Sequence, residues 1–187
     1  DDIYKNTSKS NFSKIIKDDF DRINFNSSKQ FRKQKVIINK VDELSDLGFE
    51  NIILAGHSAG GWASITLKSK YPNKISGAIA INPAFSGTLN NRREWKFWEL
   101  VREQGISQIN LTSLKNTLIY VHDKDDHENT TTLSFLNLDT VAYKDISKTD
   151  CKAKLIFGKY HGIPLTKCFA EKQSNTNDMI KFLEQIY

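Results

Sequence analysis

The chain has 187 residues, of which 39% are hydrophobic and 26% charged, a composition typical of a globular protein with one core. No stretch approaches the roughly 20 consecutive apolar residues that a membrane-spanning helix needs, so no membrane span is predicted. The formal net charge is +5, but the lysines are scattered along the chain, which favours a basic solvated surface and no nucleic-acid partner. We therefore predict a single domain over 1–187, with a polar N-terminal segment over 1–31, a core over 32–187 and an unknown oligomeric state.

The N-terminal segment is rich in Lys, Asn and Ser, and its apolar residues have only loose helical spacing. This pattern predicts a short helix near 12–22, followed by a loop or a brief strand over 22–25. Residue 1 is Asp rather than Met. We therefore expect that an upstream part of the protein has been removed.

From residue 30 onward, continuous apolar runs of strand length alternate with segments of helical periodicity. The predicted helices lie over 30–47, 59–70, 90–104 and 175–187, with a weaker one over 131–136. The predicted strands lie over 51–55, 75–81, 117–121 and 154–157, with a short extended piece at 141–143. Apolar strands separated by helices predict an α/β fold, a three-layer sandwich whose mainly parallel sheet is covered on both faces. Ligands of such sheets bind outside the carboxyl ends of the strands.

The first predicted strand runs directly into a Gly-x-Ser-x-Gly pattern with Ser58 at its centre, and a helix follows. A serine raised on a sharp strand-to-helix turn brings the two elements close together, and Gly56 and Gly60 lack the Cβ atoms that would collide. The backbone N–H of Ala59 lies at the predicted helix start, where unpaired amides favour an anion. The pattern therefore predicts a nucleophile and half of an oxyanion hole. The alternative is a glycine-rich turn whose serine only caps the helix.

A serine hydroxyl becomes a good nucleophile only when a base takes its proton and a further group orients that base. Acidic side chains follow the third predicted strand, and His161 follows the fourth. Ser58, an acid and His161 thus stand at the ends of the first, third and fourth predicted strands, which predicts that they meet at one edge of the sheet.

This order of Ser, acid and His resembles that of the α/β-hydrolase superfamily, and in particular its serine esterases and dienelactone-hydrolase-like members. The resemblance covers about 35–187, and its most specific part is the motif over 56–61. It implies a serine hydrolase that cleaves carboxylic esters. Ser58 would attack, His161 would transfer the proton and the N–H of Ala59 would hold the oxyanion. No cofactor is implied, and the partner is a small-molecule ester or acyl substrate.

The identity of the acid stays open at this point. Family members commonly show an apolar strand followed by Gly, two residues and Asp, which aligns Asp126 with the orienting acid. Because Asp123 stands where the glycine is expected, Asp125 is a serious alternative and Asp123 a lesser one.

The family's second oxyanion donor comes from a loop N-terminal to the serine, and the first thirty residues show no convincing strand that leads into such a loop. We therefore expect that the first sheet strands are missing or rearranged. Acyltransferase, thioesterase or peptidase activity on the same scaffold stays open, as does a non-catalytic binding module.

Cys151 and Cys168 lie on either side of the segment that contains His161. An even pair that frames one loop favours a disulfide, and with it a secreted or periplasmic protein. The alternative is a pair of free thiols in the cytoplasm.

Histidines and carboxylates are concentrated after the third predicted strand, at His122, Asp123, Asp125, Asp126 and His127. Their spacing matches no compact zinc pattern, so we predict no metal site.

Overall fold

The computed structural model describes residues 29–85, 87–94, 96–153, 158 and 160–187. The helix predicted near 12–22, the loop or brief strand predicted over 22–25 and the strand predicted over 154–157 lie outside the described residues. The described helices are α1 (Lys29–Asp46), α2 (Ala59–Lys70), α3 (Leu89–Glu94), α4 (Lys96–Ser107), α5 (Lys167–Ala170) and α6 (Gln173–Glu184). The described strands are β1 (Ile53–His57), β2 (Gly77–Ile81), β3 (Thr117–Val121) and β4 (Val141–Asp145).

The four described strands form one parallel sheet in the order β1-β2-β3-β4. This arrangement confirms the predicted α/β fold with a parallel sheet. Because all strands run the same way, the residues that follow β1, β2 and β3 lie at one edge of the sheet. His57 at the end of β1 pairs with Ile81 at the end of β2.

Several predicted boundaries differ from the observed ones. Strand β4 includes the short extended piece predicted at 141–143 and extends it by Lys144 and Asp145, which break the apolar pattern of a buried strand. The helix predicted over 90–104 corresponds to α3 and α4. The helix predicted over 131–136 is only a 3₁₀ turn at Ser134–Leu136. The short helix α5 was not predicted, because its four residues are too few to show a periodicity.

Strand β3 lies at the centre of the core and is buried along its whole length. Leu118 and Tyr120 pack into the apolar cluster on one face of the sheet, and Ile119 and Val121 pack into the cluster on the other. Helix α2 contributes Trp62 and Ile65 to the second cluster, whereas α6 contributes Phe182 to the first. The predicted sandwich follows from this alternation.

A disulfide joins Cys151 and Cys168, whose Cα atoms are 5.7 Å apart, as expected from the sequence. None of the described helices is long and apolar enough to cross a membrane.

Candidate active site

Ser58 lies at the junction of β1 and α2 in a strained backbone conformation, with φ of 55° and ψ of −123°. A non-glycine residue rarely has a positive φ, and such strain occurs at functional sites. The conformation is held by three hydrogen bonds: the Ser58 N–H donates to Ile81 O (3.0 Å), and Ser58 O accepts from the N–H groups of Trp62 (3.0 Å) and Ala84 (3.1 Å). The surrounding backbone therefore fixes the serine at the sheet edge.

The strand and the helix on either side of Ser58 approach each other closely. A Cβ atom on Gly56 would lie 2.4 Å from the carbonyl carbon of Gly60, so only glycine fits at position 56. The crowding expected at Gly60 is not found, because a Cβ there would meet none of the described atoms within 4 Å. Gly61 is the second constrained position, since its Cβ would lie 2.9 Å from Gly56 O.

Helix α2 begins at Ala59, so the N–H of Ala59 is among the first amides, which have no intrahelical acceptor. No acidic side chain occupies the first turn of α2, and the hydroxyl of Ser58 makes no capping hydrogen bond. The helix start therefore retains its partial positive charge. The capping role that was the alternative for this serine is not what the structure shows.

His161 and Asp125 form a buried pair. The Nδ1 atom of His161 lies 2.6 Å from Oδ2 of Asp125, and both side chains are at least 95% buried. The other oxygen, Oδ1, accepts a hydrogen bond of 2.9 Å from the N–H of His127. The Nε2 atom of His161 is buried and has no hydrogen-bond partner among the described residues, so the hydroxyl of Ser58 is not bonded to it.

The structure places Asp126 elsewhere. Its side chain is 60% exposed, and its Oδ1 lies 2.9 Å from Nδ1 of His127. The N–H of Asp125 donates to the carbonyl of His122 (3.2 Å), which closes a tight turn after β3. After this turn, the side chain of Asp125 contacts His161, whereas the side chain of Asp126 is exposed to solvent. Asp123 is also largely exposed and lies 3.1 Å from Nδ1 of His122. The geometry thus favours the alternative acid, Asp125.

His161 lies between two other imidazole rings. His127 stacks on it with ring centroids 4.2 Å apart and 25° between the planes, while the centroid of the tilted His57 ring is 4.6 Å away. Since His57 directly precedes Ser58, this contact places the buried His161–Asp125 pair beside the strained serine. No catalytic role was predictable for His57 or His127 from their positions in the sequence, although they stand next to Ser58 and Asp126.

Burial and hydrogen bonding shift the pKa values of these groups. Burial raises the pKa of Asp125, but hydrogen bonds with His127 and His161 outweigh it and leave the pKa below its ordinary value. Burial lowers the pKa of His57, whereas the hydrogen bond with Asp125 raises the pKa of His127. Asp125 is therefore ionised and His57 neutral near pH 7.

A buried ionic network holds the loop that carries Asp125. Glu128 is fully buried, and its Oε1 lies 2.7 Å from Nη1 of Arg92 and 2.7 Å from Nε of Arg102. Arg92 also donates to His127 O, and Arg102 to Thr132 O, at 2.7 Å each. The arginines come from α3 and α4, so the network ties these helices to the loop over 122–128 after β3, which we call the acidic loop. No sequence motif indicated it.

One group of side chains has ligand atoms close enough to hold a metal ion: those of Asp125, His127 and His161 lie within 4.8 Å of one another. An ion there would replace the short contact between His161 and Asp125. In the part of the chain that the structure describes, the other such group includes Cys151 and Cys168, whose sulfurs are already bonded to each other.

Comparison with known proteins identifies one family. A sequence model described as steryl acetyl hydrolase, from a family within the α/β-hydrolase superfamily, matches residues 3–181. The match includes most of the polar N-terminal segment, which lay outside the resemblance inferred from the motifs. No curated protein sequence shows significant similarity to the chain.

Proposed function

The chain belongs to the steryl acetyl hydrolase family, and on that premise we propose that it cleaves carboxylic esters through Ser58, His161 and Asp125. Membership indicates a hydrolase that acts on esters. The family's description makes acetyl esters of sterols the first natural substrates to test.

In the proposed reaction, Ser58 Oγ attacks the ester carbonyl while Nε2 of His161 takes the hydroxyl proton. Asp125 stabilises the resulting imidazolium through its contact with Nδ1. The backbone N–H of Ala59 donates to the oxyanion of the tetrahedral intermediate. When the intermediate collapses, the alcohol leaves with the proton from His161. Water, deprotonated by the same imidazole, then attacks the acyl-serine and releases the carboxylic acid.

The observation that supports this proposal most is the buried pair of His161 and Asp125 beside the strained turn of Ser58. Nδ1 of His161 lies 2.6 Å from Asp125, and Nε2, its other ring nitrogen, has no hydrogen-bond partner in the part of the chain that the structure describes. A buried imidazole without a partner at one nitrogen is costly for a protein, unless a reacting group uses that nitrogen. Catalytic hydrogen bonds are often long or absent before substrate binds, so a serine that is not yet bonded to Nε2 is compatible with the mechanism.

The test is hydrolysis of p-nitrophenyl acetate by the Ser58→Ala variant. We expect kcat/KM to fall by at least about 10³-fold, because no nucleophile remains. Ser76→Ala, which removes a hydroxyl that bonds weakly to Glu50 O at 3.3 Å, is the matched control. A fluorophosphonate probe should label the wild type at Ser58 and leave the variant unlabelled. Wild-type turnover by Ser58→Ala would exclude the mechanism, and a folded wild type that neither turns over nor reacts with the probe would favour a binding module.

The Cys151–Cys168 disulfide also supports an oxidising compartment, such as the cell exterior or the periplasm, as the site of action. The test is whether the disulfide is present in the protein as it is isolated. When the protein is isolated without reductant, denatured and alkylated, both cysteines should remain unmodified.

A further inference from the structure

The carbonyl oxygen of His161 accepts hydrogen bonds from two side chains at other strand ends. His57 Nε2 lies 2.8 Å from it and Asn82 Nδ2 lies 3.0 Å from it. His57 is the last residue of β1, and Asn82 follows β2. The loop that carries His161 is therefore attached through its main chain to the two strands that also hold Ser58.

Asn82 occupies a position that is unfavourable in two respects. It is completely buried with a positive φ of 40°, and its Oδ1 has no hydrogen-bond partner in the described residues. Its Nδ2 donates to the carbonyl of Tyr160 (3.2 Å) as well as to that of His161. Rotating the Asn82 amide by half a turn would point Oδ1 at two carbonyl oxygens, which cannot donate a hydrogen bond to it. The amide is therefore held with Nδ2 facing both carbonyls. Strain combined with an unsatisfied buried acceptor is expected where function requires the arrangement.

Only one tautomer of the neutral His57 ring can form the hydrogen bond with the carbonyl oxygen of His161. A carbonyl oxygen only accepts, so the ring must carry its proton on Nε2 to make the contact. Because His57 is the residue before Ser58, this hydrogen bond links the main chain of His161 to the turn of the nucleophile with no flexible segment between them.

We propose that His57 and Asn82 are positioning residues that hold the backbone of His161 against the nucleophile turn. Their two hydrogen bonds to the carbonyl oxygen fix the position of the His161 backbone. The contact between Nδ1 and Asp125 then fixes the orientation of the imidazole ring. The inference rests on the proposed function of Ser58 and His161. A misplacement of about 1 Å costs on the order of 10²-fold in rate, so loss of either donor should reduce kcat more than it affects KM.

The kinetic test compares His57→Leu with His57→Gln, using p-nitrophenyl acetate. The Gln amide can place a donor near the position of Nε2, whereas Leu has none. We expect His57→Leu to lower kcat by about 10–100-fold with KM changed by less than about 3-fold, and His57→Gln to retain most of the wild-type kcat. Asn82→Gly, which accepts a positive φ but lacks the amide, should resemble His57→Leu and replaces it if that variant does not fold. Equal losses in His57→Leu and His57→Gln, or no loss in His57→Leu and Asn82→Gly, would overturn the proposal.

A second measurement needs no substrate. The proton between His161 Nδ1 and Asp125 should give a low-field NMR signal, assigned by its absence in Asp125→Asn. We expect this signal to persist in His57→Gln and to exchange faster with water in His57→Leu. If the wild type hydrolyses no ester but the signal behaves in this way, the proposed function fails and the positioning role stands. If the wild type is active, and neither the low-field signal nor kcat changes in His57→Leu and Asn82→Gly, the positioning role is wrong and the proposed function stands.

Discussion

At the scale of single residues, a difference of one residue in the register of the acidic loop determines which carboxylate contacts His161. The sequence predicted that an acid would lie here, since three carboxylates follow a buried strand. It could not select among them, because the choice depends on the turn closed by the N–H of Asp125 and the carbonyl of His122. Aligning the loop with the family's glycine pattern selected Asp126, whereas the tighter turn buries Asp125 and leaves Asp126 in solvent.

Replacement of these acids by their amides tests the assignment. Asp125→Asn should lower kcat/KM by about 10³–10⁴-fold, because an amide neither holds the correct tautomer of His161 nor stabilises its imidazolium. Asp126→Asn is the matched control and should stay within about 3-fold of the wild type, since an exposed carboxylate is easily replaced by water contacts. Steady-state kinetics with p-nitrophenyl acetate measure both. The reverse ranking would show that the loop rearranges when substrate binds.

The two glycines at the start of α2 give a second matched pair. An Ala side chain at Gly61 would place Cβ 2.9 Å from Gly56 O, so α2 must move away from β1. We expect Gly61→Ala to lower the free energy of unfolding by about 1–3 kcal/mol, as overpacking does. Gly60→Ala should leave it unchanged or raise it by up to about 1 kcal/mol, because Ala favours a helix. Urea unfolding followed by circular dichroism distinguishes the two, and equal destabilisation would contradict the close approach of helix and strand.

At the scale of helices and strands, the sequence predicted the parallel sheet because its inner strands are apolar throughout. It predicted only residues 141–143 of β4, which lies at the end of the described sheet, because Lys144 and Asp145 interrupt the apolar pattern. The ionic network around Glu128 was not predictable either, because Arg92 and Arg102 are separated from it by 36 and 26 positions. Pairing over such distances depends on how α3 and α4 pack, and no local pattern encodes that.

The network provides a prediction about how the acidic loop is held. Glu128→Gln removes the buried carboxylate that Arg92 and Arg102 share and should lower the free energy of unfolding by about 3–5 kcal/mol, because the partly exposed Glu99, 3.4 Å from Arg92, compensates the two buried arginines less well. Glu43→Gln, in an exposed pair with Lys40 at 2.5 Å, is the control and should cost about 0–1 kcal/mol. Urea titrations give both values. A similar small cost for both variants would mean that water reaches the arginines.

At the scale of the whole molecule, the half-buried His57 and His127 make stability depend on pH with opposite signs. The pKa of His57 is lowered by burial, so the unfolded chain binds this proton more readily and stability falls as the pH drops below about 6.5. The pKa of His127 is raised, so its contribution is complete below about 6.5 and is lost as the pH rises through the folded value. We expect His57→Gln to reduce the loss of stability between pH 7 and pH 5, and His127→Gln to increase it. Unfolding midpoints in urea at the two pH values measure this, and equal slopes in both variants would contradict it.

The disulfide acts on the whole chain through its unfolded state. Cys151 and Cys168 are 17 positions apart, and a cross-link over a loop of this size stabilises the fold by about 3 kcal/mol in the chain-entropy model. His161 lies inside the loop, but the contacts of His161 with Asp125, His57 and Asn82 hold it independently of the bridge.

The double variant Cys151→Ala/Cys168→Ser should therefore lose about 3 kcal/mol of unfolding free energy while its kcat stays within about 3-fold of the wild type. The kinetic measurement must be made well below the lowered unfolding temperature, where the folded state still dominates. Reduced wild type serves as the control for the packing of Cys151, which is buried, because reduction breaks the bridge without changing a side-chain volume. If kcat falls in both samples while each remains folded, the three contacts do not suffice to order His161, and the bridge is itself part of what positions the base.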